Sequence, residues 1–291
     1  MKNSKVGIVI VNWNGYQITR TCLLSCKSLN YKNTNIYVVD NGSTDGSVDK
    51  LKNEFPEVDH IENNENKGFA GGVNPGIQTA LISGCEYVWL LNNDATPEPE
   101  GLAAMVEVAE NEQRKCIVGS VIYKGVRNDV QKEVEVVGGG HINFFTGRST
   151  INKKFGNQVL DYISGASMLI PRSVIGVIGS FDEAYFMYYE DVDFCYRAKR
   201  NGINLAVAEN SHIWHIGSAS TKGDASPVKD TYAAKSCVIF FKKYGRFSYL
   251  PAIVAMSVRS VRRVLFGQFG CVFAIARGFM QGVAVDISNI N

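Results

Sequence analysis

The sequence predicts an α/β fold with a Rossmann-like, largely parallel sheet in its first half, a mixed sheet in its second half, and a helical C-terminal extension. Three observations carry this. Short β-branched apolar runs alternate with helix-period segments over residues 6–112, the pattern of a parallel sheet joined by crossover helices. Polar, acidic and glycine-rich residues fall just after those runs, where open parallel sheets bind ligands, so a nucleotide-type pocket is expected there. From Tyr232 onward the pattern is helical, with no acid between Lys235 and Arg277.

Residues 6–11 are a buried strand closed by Asn12-Trp13-Asn14-Gly15, and residues 17–29 a helix. Residues 36–39 form a second strand ending at Asp40-Asn41-Gly42-Ser43-Thr44-Asp45. Residues 47–55 suit a helix, with Pro56 just past its end. A weak third strand covers 58–61. Residues 68–72 read as a glycine-rich loop opening onto a helix over 75–83, with proline near its start. The fourth strand, 87–91, ends at Asn92-Asn93-Asp94. Residues 97–112 form a helix whose Leu102, Met105, Val106 and Ala109 make one apolar stripe. Beyond it, strands are expected at 118–123, 134–137, 142–145 and 205–211, a polar loop over 124–132, a strand leading to a turn in 161–171, and a helix within 181–201. The expected organisation is one α/β domain over 1–231, with a nucleotide-binding half (1–115) and a second half (116–231), followed by a basic helical extension over 232–291.

Composition bounds the function. The 291 residues are 45% hydrophobic and 20% charged, enough for a sizeable core, and the net charge of +2 does not point to nucleic acid. Seven scattered cysteines without a C-x-x-C pair suit buried apolar residues in a reducing cytosol rather than a disulfide framework or metal knuckle. The N-terminal apolar run is too short for a secretion signal, and no 18-residue apolar run occurs. The expectation is a cytoplasmic chain.

Several residues carry chemistry. Asp40, at a strand end, can accept a hydrogen bond from a pyrimidine ring or a ribose, or can cap its own loop; Asp45 suits a helix cap. Gly68, Gly71 and Gly72 can let backbone approach a phosphate or form a plain tight turn, and neither G-x-G-x-x-G nor a P-loop is present. Asp94 is a hard-cation ligand on a strand end, to which Asn92 can add a carbonyl oxygen; a polar strand terminus is the other reading. In YYEDVDF, Asp191, Phe194, Cys195 and Ala198 share one helix face, so Asp191 heads an inward stripe. An inward carboxylate is either used, as a general base, or paired through tertiary contacts. Asp193 aligns with Arg197 at i+4, a surface or intrahelical ion pair. His212 and His215 point to opposite faces of a strand, so at most one of them joins Asp94.

Together these segments resemble the inverting family 2 glycosyltransferases of the GT-A fold, particularly a rhamnosyltransferase-like branch. The resemblance spans about residues 5–220 and rests on seven motifs in order: VIVNWNG, VVDNGSTD, NKGFAGGVN, WLLNNDATP, ISGASMLIPR, FDEAYFMYYEDVDFCYR and HIWHIGSAS. It implies that Asp40, with Asn12 and Asn14 nearby, contacts the base of a donor nucleotide, and that residues Gly68 to Asn74 lie beside its ribose and diphosphate. It implies that Asp94 binds Mg2+ or Mn2+, that His215, with Gly217 and Ser220, makes a second metal or diphosphate contact, that Asp191 is the catalytic base, and that Glu190 touches acceptor hydroxyls. The implied reaction moves rhamnose or another hexose from a dTDP- or UDP-linked donor to a glycan or polyprenyl-diphosphate-linked acceptor in cell-surface polysaccharide synthesis. Asn92 departs from a strict D-x-D, Val73 stands where many relatives have asparagine, and Pro75 is unusual. A nucleotidyltransferase would carry a basic loop after strand one, whereas NWNGYQ has no basic residue before Arg20. A non-catalytic sugar-nucleotide or partner-binding module would not need Asp94, Asp191 and His215 together.

In the extension, Val254, Val258, Val261 and Leu265 form a stripe beside Arg259, Arg262 and Arg263. Such a helix suits the anionic inner face of a membrane, core packing with a basic edge, or a homodimer interface. The arginines interrupt it too often for a spanning helix.

Overall fold

The computed structural model describes residues 3–127, 132–156, 158–217 and 225–287. A parallel group is built from β1 (Val6–Asn12), β2 (Thr34–Asn41), β3 (Asp59–Asn63) and β4 (Tyr87–Leu91). The sheet continues through β11 (Ser167–Pro171), β6 (Cys116–Lys124), β12 (Asn204–His215) and β5 (Ala95–Pro97), in the order β3-β2-β1-β4-β11-β6-β12-β5, with β7 (Val134–Val137) also on β6. β11 runs antiparallel between β4 and β6, which makes the sheet mixed. A small sheet of β10 (Tyr162–Ile163), β8 (Gly139–Ile142) and β9 (Ser149–Ile151) lies beside it.

The period-2 alternation of β1 explains the layering. Val6, Ile8 and Ile10 enter one apolar cluster with Cys22, Leu23, Leu51 and Met105. These come from α1 (Tyr16–Lys27), α2 (Ser47–Glu54) and α4 (Gly101–Asn111). Val9 enters the opposite cluster with Val73 and Ile77 of α3 (Gly68–Ile82), Phe194 of α6 (Glu190–Arg200), and Phe240 and Phe241 of α7 (Pro227–Tyr244). The chain also forms α5 (Arg172–Ile178), α8 (Leu250–Leu265) and α9 (Phe269–Ala284). All seven cysteines are free and buried.

The structure corrects four readings. The glycine cluster is not a loop: Gly68, Gly71 and Gly72 lie inside α3, which runs through Pro75. The glycines serve close packing, because a Cβ on Gly72 would sit 3.0 Å from Val11 and one on Gly76 2.5 Å from Val9. The strand expected at 142–145 is β8, ending at Ile142. β5, β9 and α5 were not expected; β5 and β9 are three residues each, too short for a period to show. Of the two readings of Asp193, the intrahelical pair with Arg197 holds and the surface one does not, because Asp193 is fully buried.

Gly68 makes the strictest demand. Its φ is +72° and a Cβ would lie 2.0 Å from the Phe186 carbonyl oxygen, which accepts the Phe69 N–H at 2.8 Å. Gly68→Ala is therefore expected to lower stability by more than ~1 kcal/mol, read as a lower urea midpoint.

Candidate active site

The C-terminal ends of β1, β2 and β4 bring the predicted donor-side residues together. Asp40 is 5% exposed and accepts from Asn12 Nδ2 (2.8 Å), Ser43 Oγ (2.6 Å) and Ser43 N (2.8 Å). Asn12 Oδ1 in turn accepts from Thr19 Oγ1, and Asn14 Oδ1 from the Thr44 N–H. Asn14 adopts φ 49°, the left-handed region that asparagine tolerates. The loop after β2 is thus pinned to the loop after β1 by one carboxylate and two asparagines. Asn74 faces elsewhere: its amide donates to the Phe181 carbonyl and to Glu183, tying α3 to the segment before α6.

Asp94 and His215 meet where β4 gives way to β5 and where β12 ends. His215 Nε2 lies 3.1 Å from Asp94 Oδ1 and 3.3 Å from the Asn92 amide. His215 Nδ1 lies 3.1 Å from Glu135 Oε2 on β7, which sequence reasoning missed. An N–H donated from Nδ1 to Glu135 fixes the tautomer and leaves the Nε2 lone pair facing a carboxylate. Two acceptors at that distance repel unless a proton or cation lies between them. Burial disfavours a charged His215 ring, but Asp94 and Glu135 outweigh it and raise its pKa to about 9. The site is therefore built around a positive charge. Among the described residues no three His, Cys, Asp or Glu side chains converge as a metal cluster. One carboxylate, one imidazole and, after a half-turn of its amide, the Asn92 carbonyl oxygen still fit a divalent cation. Of the motif around His215, Ser220 lies outside the described residues and Gly217 takes φ +66°. His212 faces away, onto Glu98 at 3.2 Å.

Asp191 sits in the first turn of α6. Tyr188 and Tyr189 precede it at φ 69° and 67°, a left-handed pair that costs about 1–2 kcal/mol per residue. Packing holds them there: Tyr189 lies in a cluster with Phe240 and its hydroxyl reaches the Gly147 carbonyl and Cys237. Asp191 Oδ1 accepts the Val192 N–H at 2.8 Å and Oδ2 the Gly165 N–H at 3.2 Å. One residue on, the Ala166 carbonyl accepts the Asn92 N–H at 3.1 Å. The short turn between β10 and β11 thus links the predicted base to the predicted metal motif. Burial lifts the Asp191 pKa to about 6 against those two N–H bonds. Burial, helped by Asp191's charge, pushes Glu190 well above the usual carboxylate range. Glu190 Oε2 is buried with no hydrogen-bond partner among the described residues. Both acids line a cavity of about 1650 Å³ bounded by the β8–β9 hairpin and α8.

Asp193 does different work. It accepts from Arg197 (2.8 Å), Lys243 (2.7 Å), Tyr185 (3.1 Å) and Tyr244 (2.9 Å), fastening α6 to α7. The i+4 arginine was legible in the sequence; the lysine fifty residues on was not.

Comparison with known proteins agrees with this architecture. The chain is 26% identical over 237 residues to the low-salt glycan biosynthesis hexosyltransferase Agl10 of Haloferax volcanii, covering 79% of this chain and 76% of the relative. It is 27% identical over 226 residues to the N-acetylglucosaminyl-diphospho-decaprenol L-rhamnosyltransferase of Mycobacterium tuberculosis (68% and 73%). It is 25% identical over 292 residues to the dTDP-rhamnosyl transferase RfbF of Shigella flexneri (94% and 89%). Among solved structures, a mannosyltransferase from Pyrobaculum calidifontis in complex with GDP-Man and Mn2+ superposes at TM-score 0.58 and 14% identity, covering 97% of this chain and 76% of that one. GalNAc-T7 with UDP, GalNAc and Mn2+ superposes at 0.61 and 15% identity, covering 89% and 54%. These neighbours share the GT-A fold. Residues 7–178 match the family description Glycosyl transferase family 2, and the chain is a glycosyltransferase belonging to that family.

Proposed function

We propose that this glycosyltransferase moves rhamnose or another hexose from a dTDP- or UDP-linked donor to a glycan or polyprenyl-linked acceptor, with inversion, using a divalent cation and Asp191 as base. The observation that carries the reading is the link from Asp191 through Gly165 and Ala166 to Asn92, beside the Asp94–His215 pair. It joins a carboxylate with a raised pKa to a group of residues suited to positive charge, at the same end of the central strands β4 and β11.

In this reading Asp40, Asn12 and Asn14 shape the seat for the base, and the N-terminal half of α3 flanks the ribose and diphosphate. Asp94 and His215, with Asn92, hold Mg2+ or Mn2+, which when bound offsets the charge developing on the departing nucleoside diphosphate. Asp191 takes the proton of the acceptor hydroxyl as that oxygen attacks the anomeric carbon from the side opposite the leaving group. One displacement inverts the centre. Glu190, whose pKa burial raises well above the usual carboxylate range, offers its Oε2, without a hydrogen-bond partner among the described residues, to an acceptor hydroxyl. The C-terminal stripe supports membrane contact. Val258 is 67% and Leu265 79% exposed, so α8 turns this apolar arc outward instead of packing it on the core. Among the described residues no helix is long and apolar enough to cross a membrane. The supporting relatives' names include sugar transfer to a diphospho-decaprenol carrier and from a dTDP-linked donor.

Thermal stabilisation by UDP, dTDP, GDP and ADP, each with and without Mn2+, tests the donor half. The expected result is a Mn2+-dependent rise in Tm with one pyrimidine diphosphate. His215→Ala is expected to abolish the Mn2+-dependent part. An unchanged Mn2+-dependent shift in that variant would remove His215 from the cation site.

A further inference from the structure

The cavity beyond Asp191 has a wall that the transfer reaction does not by itself require. Arg148, Lys229, Arg259, Arg262 and Arg263 all line it, against two carboxylic acids, Glu190 and Asp191. Five cationic side chains face two acids, so the wall carries an excess of positive charge; burial also pushes the Glu190 carboxyl well above the usual carboxylate range. Asp230, itself fully buried, takes Arg259 Nε at 2.5 Å and Arg263 Nε at 2.9 Å. This strut fixes two guanidinium groups in place and still leaves the cations in excess. Arg262 and Arg148 are exposed, and among the described residues neither side chain has a protein acceptor. Unspent guanidinium donors on a pre-set wall are suited to phosphate oxygens.

The helix bearing this wall is apolar on its neighbouring side. Val254 and Val258 line the cavity and also belong to the outward arc of α8. At 100° per residue, Val254 and Val258 are followed around the helix by Arg262, Arg259 and Arg263. Apolar surface, cationic wall and carboxylates therefore border one cavity.

We propose that this cavity is an anion subsite for the acceptor, in which Arg262 and Arg148 bind the diphosphate of a prenyl-diphosphate-linked sugar while Val254 and Val258 carry the start of its hydrocarbon chain. The inference rests on the reading of Asp191 as the base, because that residue fixes where the acceptor sugar lies. The phosphate chemistry is shared with anionic lipid headgroups, and the test separates the two sources.

The probe is geranyl diphosphate, titrated into the full chain in EDTA so that no cation draws it to Asp94 and His215. The wild type is expected to bind it and geraniol is expected not to compete. Arg262→Glu and Arg148→Glu are each expected to weaken binding about tenfold or more, the loss of a charge-assisted contact. Both should keep the wild-type Mn2+-dependent nucleotide shift, which shows that they are folded. Equal affinity of wild type and both variants for geranyl diphosphate would overturn the subsite. So would variants that lose binding to phosphatidylglycerol vesicles yet hold geranyl diphosphate as the wild type does, since the arginines would then serve headgroups. If no nucleotide shifts the wild type while the arginine variants do weaken geranyl diphosphate binding, the subsite stands and the donor reading fails.

Discussion

Asp191→Asn is expected to lower turnover by ~10²–10⁴-fold, the usual contribution of a positioned base. Folding should survive, because an asparagine oxygen can still accept from Gly165 or Val192, the two N–H groups that hold the carboxylate. Stability is expected to stay within ~1 kcal/mol of wild type, and the nucleotide shift should be unchanged. The pH profile gives an independent check. Burial raises the Asp191 pKa to about 6, and a base works only when deprotonated. The kcat/KM of the wild type should therefore climb as pH rises through about 6 and level off above it. Full activity well below pH 6, or undiminished turnover in the asparagine variant, would exclude Asp191 as the base.

Asp193→Ala is expected to do the reverse: to damage the fold far more than the chemistry per folded molecule. It removes the carboxylate shared by Arg197, Lys243, Tyr185 and Tyr244. The Lys243 side chain is 8% exposed and, among the described residues, keeps only Asp182 as a charged partner. Breaking a buried ion pair from one side costs ~3–5 kcal/mol. The check is urea unfolding alongside turnover corrected for the folded fraction. A stability loss under ~1 kcal/mol would mean that Asp182 alone suffices for Lys243.

These neighbouring acids show what the sequence could and could not reveal. Strands β1, β2 and β4 were legible because each is a run of β-branched or aromatic residues ending in polar groups. Asp94 and His215 were legible as candidates because strand ends offer fixed carboxylates and imidazoles. Their meeting depends on β5 pairing with β12, which sets His215 opposite Ala95, and the closing of His215 by Glu135 depends on β7 and β12 both pairing with β6. Nothing local to Glu135 signals a partner eighty residues away. The i, i+3, i+4 pattern put Asp191 on the inward stripe and Asp193 in an i+4 pair. The structure leaves Asp191 half-buried and buries Asp193 completely, because α7 covers the side of α6 that helical periodicity alone would leave to solvent. The glycine cluster misled for a related reason. Glycine marks either a turn or a close approach, and only the packing of α3 against Val9 and Val11 decides between them. The stripe of α8 is legible in the sequence as a stripe, but which side faces out depends on the tertiary structure.

In the proposed reaction one base, Asp191, drives a single displacement. The most direct measurement is the anomeric configuration of the transferred sugar, by proton NMR of product made from the donor that the nucleotide shifts select. The expected product has a configuration opposite to that of the donor, and its formation collapses in Asp191→Asn. A product of retained configuration would contradict a single displacement.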